Sequence, residues 1–84
     1  MSTYNGYESK VHWKTAFWLN NDEGFYNLLM NKVELVVYMR ISKTEAVYEM
    51  LRDLPATTPD GEVWHADTIL DLIDENYTDQ LQYS

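Results

Sequence analysis

Cysteine is absent from the 84 residues, so the chain has no disulfide framework and no thiolate metal site. That absence is compatible with a reducing cytosol. Glycine and proline are scarce, at three and two residues, and no internal repeat or low-complexity segment occurs. No run reaches the roughly 18 consecutive apolar residues of a membrane span. The opening "MSTYNGYESK" lacks the charged-then-apolar pattern of a secretory signal, so none is expected. The last deficit is in bases. Six Lys and Arg face 14 Asp and Glu, for a net charge of −8. A non-specific nucleic-acid binder needs the opposite sign, because its affinity comes from neutralising phosphates. An anionic membrane is disfavoured for the same reason. No nucleophile motif, phosphate loop or zinc spacing is present, so neither catalysis nor a cofactor is expected.

What is present is apolar mass. Hydrophobic residues make up 45% of the chain and aromatics 14%, too much for a disordered segment. Three Trp, seven Tyr and two Phe bring large area per residue, which suits a small core. The length implies one domain, 1–84, burying only about 60–65% of its unfolded surface.

Beyond the first residues the periodicity favours helices, although "VELVVYM" also has strand propensity. Residues 1–8 read as a leader, with Tyr4 and Tyr7 able to pack back. A first helix is expected over 9–19, capped by Ser9, with Trp13, Ala16 and Phe17 on one face and Val11 and Trp18 beside it. The stretch "LNNDEG" then reads as a helix joint. Asn20 suits the left-handed end of one helix and Asn21 the cap of the next. Asp22 and Glu23 would sit in the first turn of that next helix, where negative charge meets its positive end. Gly24 costs about 1 kcal/mol in a helix, which suggests an aromatic packed on its backbone. The rival is a hard-cation loop, but the spacing fits no EF-hand.

A second helix is expected over 22–40. Asn27, Asn31, Glu34 and Tyr38 make a narrow polar stripe on a segment otherwise apolar. Such a helix is the centre of a bundle or part of an oligomer contact. "SKTE" is a capping box, with Ser42 and Glu45 opening a third helix over 43–54. Its inward residues would be Val47, Met50, Leu51 and Leu54, with Pro55 as the stop. "PATTPDGEVW" is a loop with a turn at Pro59 to Gly61. A fourth helix is expected over 66–76, with Ile69, Leu70, Leu72, Ile73 and Tyr77 inward, followed by a fraying tail at 77–84. The fold class is all-α, a bundle of about four helices.

Residues Tyr4-Asn5-Gly6, Trp13, Ala16, Trp18, Leu19, Asn21, Asp22, Glu23, Gly24 and Tyr26 match a pattern of Y-N-G, then E-T-W-x-x-A-L-W-L, then N-D-E-G-L-Y. In this the chain resembles a family of small uncharacterised proteins common in phages and seen in bacteria. "TPDGEVW", Thr58 to Trp64, is similar to that family's turn after its third helix. "SKVHW" departs from the usual acidic, polar lead-in to the first Trp, and Asn31 to Ser42 is longer and more apolar than usual. The resemblance implies a phage accessory protein acting in a bacterial cytoplasm. It carries no catalytic residues.

Two acidic rows stand out. Glu45, Glu49 and Asp53 lie at i, i+4, i+8 on the third helix. Asp67, Asp71, Asp74 and Glu75 lie at i, i+4, i+7, i+8 on the fourth. Side chains four apart sit about 6 Å from each other, and like charges there destabilise a helix slightly. In the plainer reading these are solvated faces, partly offset by Lys43 and Arg52. In the sharper one they are a partner-binding surface steered onto a basic protein, even an imitation of a DNA backbone for a nucleic-acid-processing enzyme. His12 and His65 are the only histidines. His65 with Asp67 could ligate a metal, or with Glu62 do acid–base work, but caps and surface contacts account for such residues equally. Trp13, Trp18 and Trp64 are expected in the core.

The function expected is that of a non-catalytic protein that binds and modulates a host bacterial protein. The alternative is a homodimer through the second helix. The two differ in salt dependence.

Overall fold

The computed structural model describes residues 10–83. They form four helices: α1 (Lys10–Asn21), α2 (Glu23–Val37), α3 (Lys43–Asp53) and α4 (Ala66–Tyr83). The all-α architecture expected from the periodicity is the one observed. Among the described residues the nearest thing to a strand is an isolated bridge between Thr57 and Val63. The expected leader, the Ser9 cap and the Tyr-Asn-Gly part of the motif lie outside the described residues.

The joint between α1 and α2 is a single residue. The Asp22 N–H closes α1 on the Trp18 carbonyl at 3.0 Å, and the Asp22 carbonyl accepts the first α2 bond, from Tyr26 N–H, at 2.8 Å. Its backbone is extended, φ −91° and ψ 122°, and its carboxylate accepts the Phe25 N–H at 3.0 Å. Asp22 is thus the N-cap, not a first-turn residue, and the capping role expected of Asn21 is corrected by one position. Asn21 remains in α1, its amide donating to the Phe17 carbonyl at 2.8 Å. Asn20 takes no left-handed turn; among the described non-glycine residues only Met39 has positive φ. A carboxylate outcompetes an amide at this position because it also meets the helix dipole. Nor does an aromatic explain Gly24. A Cβ there would meet only the Asp22 carboxylate oxygen, at 3.3 Å. The small residue leaves room for the cap.

The inward face of α1 is Thr15, Ala16 and Leu19, all buried, not the expected Trp13, Ala16 and Phe17. Phe17 is 41% exposed. It stacks instead along the outer face, with ring centroids 5.6 Å from Trp13 and 5.4 Å from Trp18.

α2 buries Leu29, Val33 and Val36, and the expected polar stripe of Asn27, Asn31, Glu34 and Tyr38 is exposed. α2 and α4 each pack against all three other helices, while α1 and α3 do not meet. α2 ends at Val37, three residues before the expected Arg40. Its end is a Schellman motif: Arg40 N–H to the Leu35 carbonyl at 2.8 Å and Met39 N–H to the Val36 carbonyl at 3.0 Å. Met39 takes the left-handed position, φ 60°, where glycine or asparagine is usual.

The α3 capping box is present as expected, Ser42 and Glu45 each bonding the other's backbone N–H, at 3.1 and 3.3 Å. Ala46, Val47 and Met50 are buried in α3, with Leu54 behind them. α4 continues to Tyr83, seven residues beyond the expected end at Asn76. Tyr77 and Gln80 are still half-buried there, and packing keeps the last turns helical. Leu70, expected inward, is 37% exposed, whereas Ile69, Leu72 and Ile73 are buried. Among the described residues no helix is long and apolar enough to cross a membrane.

Candidate functional site

The loop from Leu54 to His65 is pinned onto α1. Thr58 N–H donates to the Glu62 carbonyl at 2.7 Å, and Gly61 N–H closes the turn on the Thr58 carbonyl at 2.9 Å. Gly61 sits at φ 90°, which a side chain would resist. At the turn's tip Asp60 accepts from Trp18 Nε1 at 3.1 Å and from the Thr58 hydroxyl at 2.6 Å, and it pairs with Lys14. The Lys14 ammonium, then the Thr58 hydroxyl and the Trp18 indole, hold its carboxyl well below the usual carboxylate range, against the opposing pull of partial burial. Trp64 closes the loop from beneath. Its indole donates to the Pro55 carbonyl at 2.8 Å, and its ring meets Phe25 edge-on at 5.2 Å. Of the tryptophans expected in the core, Trp64 is buried, Trp18 is half-buried against the core, and Trp13 is half-buried outside it. The turn "TPDG" and the α1 tryptophan stretch are therefore two sides of one structural clasp.

The two histidines meet. Their ring centroids are 3.6 Å apart, tilted by 45°. The His65 carbonyl accepts Ile69 N–H at 3.1 Å, and its Nδ1 accepts Thr68 N–H at 3.3 Å, so His65 occupies the N-cap position of α4. One of the two ring nitrogens of His65, Nδ1, is thus engaged at a helix start. Among the described residues no three His, Asp or Glu side chains are grouped to hold a metal ion.

The acidic rows part company. On α3 each acid has a partner. Glu45 belongs to the capping box. Glu49 and Asp53 both grip Lys32 of α2, each at 3.1 Å, and Asp53 also lies 3.4 Å from Arg52. The Lys32 side chain is only 11% exposed. Burial pulls its ammonium pKa down, but the hydrogen bonds to Asp53 and Glu49 outweigh that and leave it raised. Asp53 is lowered in return, first by its bond to Lys32. On α4 Asp74 pairs with Lys43, which also lies 4.5 Å over the Tyr77 ring. Asp67, Asp71 and Glu75 are exposed. Among the described residues Asp67, Asp71, Glu75 and Asp79, each one turn from the next, have no ion-pair partner.

Beside that row lies a groove of about 170 Å³ between α3 and α4, lined by Thr44, Val47, Tyr48, Leu51, Ala66, Asp67 and Leu70. Tyr48 is 69% exposed. Periodicity alone missed this groove, because Leu70 was assigned inward. The signal available was an apolar residue one turn from two acids, Asp67 and Asp74, on the same stripe. A wider, open hollow of about 610 Å³ lies along the polar stripe of α2, lined by Asn31, Glu34, Leu35, Tyr38 and Arg40. Its lining comes from one helix and the residues that follow it.

These features define a small acidic helical domain in which caps and ion pairs take up many of the charged side chains and an acidic row on α4 is exposed. Residues 1–82 match a family of unknown function, DUF7249, and the chain belongs to that family. No curated protein and no solved structure matches it.

Proposed function

We propose that this is a phage-type accessory protein that binds and modulates a protein of a bacterial host, in the host cytoplasm and without catalysis of its own. The observation that carries this is the unpaired row Asp67, Asp71 and Glu75 on α4. Glu45, Glu49, Asp53, Asp60 and Asp74 have partners in the fold, and like charges four apart cost helix stability. A row left uncompensated in a chain of net charge −8 favours a basic protein surface and speeds its capture. The resemblance of the N-terminal motif to phage proteins supplies the biological setting. Imitation of a DNA backbone is the special case in which the partner's basic surface is a nucleic-acid cleft. It now rests on the α4 row, since Lys32 neutralises much of the α3 row.

The homodimer alternative began from the apolar girth of the second helix. Leu29, Val33 and Val36 are buried, and Phe25, Leu28, Met30 and Val37 pack against the core of the same chain. Much of the girth is thus packed within one protomer, while Tyr26 and Met39 stay exposed.

The test is a pull-down from nuclease-treated bacterial lysate at low and high salt, using the wild type and an Asp67→Lys/Asp71→Lys double variant. A specific protein recovered at low salt, released by high salt and lost with the variant supports the proposal. Recovery of the same protein by the variant, or of the bait alone at both salts, overturns it. Circular dichroism of the variant guards against simple unfolding.

A further inference from the structure

We infer that the groove between α3 and α4 is a docking slot for one large apolar side chain carried on a basic amphipathic helix of the partner. This rests on the binding role proposed for the acidic face and adds what that face would hold. α3 and α4 run antiparallel, with the Lys43–Asp74 pair closing the groove at one end and Leu51 facing Ala66 at the other. Between them Val47 forms a nearly buried floor at 8% exposure, and Leu70 and Tyr48 form exposed walls at 37% and 69%. Water gains little from such a wall, and apolar area left open beside a well-packed core is what an interface uses.

Three observations choose the occupant. The volume, about 170 Å³, is below the roughly 300–1,000 Å³ of small-molecule pockets and suits a single side chain. One rim carries Asp67 in the lining and Asp71 a turn beyond, whereas the opposite rim offers the uncharged Thr44 and Tyr48. The complement is an apolar anchor with lysine or arginine on one flank. The described residues also lack a strand edge to extend, and a groove between two helices suits the helix-in-groove mode, with anchors at i, i+3, i+4 spacing.

A displayed library of random 16-residue peptides, selected on the folded protein, tests this. Enriched peptides should combine Leu, Phe or Trp with Lys or Arg at helical spacing. Their affinity should fall about tenfold on Leu70→Gln, which leaves every charge in place, and should fall on Asp67→Asn/Asp71→Asn with a weaker salt dependence. Amide shifts on binding should centre on Val47, Tyr48 and Leu70. Peptides that ignore Leu70→Gln but need the two acids would sink the slot and leave the acidic-face reading standing. Peptides insensitive to both variants would sink both. Failure to enrich any peptide would overturn the slot alone, while the lysate experiment still decides the broader role.

Discussion

The hydroxyl of Thr15, in the middle of α1, accepts the backbone N–H of His65 at 2.8 Å, across 50 residues of sequence. Thr15 is fully buried. The bond ties the start of α4 to α1 where His65 has just left the loop. Thr15→Val keeps the shape but strands a buried donor, an error that costs about 1–3 kcal/mol. Urea denaturation should show that loss for Thr15→Val, and for Thr15→Ser only the cost of one buried methyl, about 1 kcal/mol. Equal stability of Thr15→Val and the wild type would mean that His65 N–H finds water instead.

This bond also shows where sequence reading stops. Local chemistry was legible: the Ser42–Glu45 box, the stop at Pro55 and the polar stripe of α2 depend on neighbours in the chain. The inward face of α1 was not. Hydrophobicity favours Trp13 and Phe17, but the face actually buried includes Thr15, whose hydroxyl is wanted by a residue far along the chain. The α1–α2 joint was legible as a joint yet misplaced by one residue, since Asn21 and Asp22 both cap well and only the fold chooses. The acidic rows were legible as rows. Their different fates were not, because Lys32 lies on another helix and nothing in its local pattern points to Glu49 and Asp53.

Met39 holds a left-handed conformation with its side chain 88% exposed. A non-glycine residue pays about 1 kcal/mol there, and no packing offsets it. Met39→Gly should therefore raise stability by about 0.5–1 kcal/mol, somewhat reduced by the greater freedom of glycine in the unfolded chain. Thermal melts of the two proteins decide the point. A destabilised Met39→Gly would mean that the methionine side chain packs in solution.

Asp60 predicts an acid dependence. Its carboxyl pKa is lowered in the fold, first by Lys14. A lowered folded pKa contributes stability above the unfolded value, about 3.9, and loses it as the pH falls through the folded value. Asp60→Asn keeps an acceptor for Trp18 and Thr58 but loses the pair with Lys14. It should be less stable than the wild type at about pH 7, with the gap closing below about pH 4. A gap independent of pH would assign the effect to hydrogen bonding and not to charge.

Asp71 separates folding from function. It sits one turn from Asp67 on one side and Glu75 on the other, with no counter-charge among the described residues. Each like-charge pair at this spacing costs about 0.2–0.5 kcal/mol, and an opposite pair contributes about as much. Asp71→Lys turns two repulsions into two attractions, so stability should rise by about 1 kcal/mol at low salt and by less at high salt. A residue kept only for solubility would tolerate that change. A residue kept for a partner would not, and the same variant should lose the low-salt capture expected of the wild type. Gain in melting temperature with loss of binding is the pattern of a surface held away from its stability optimum by use. Gain in melting temperature with binding intact would mark the row as solvated surface and return the search for the partner face to the rest of the molecule.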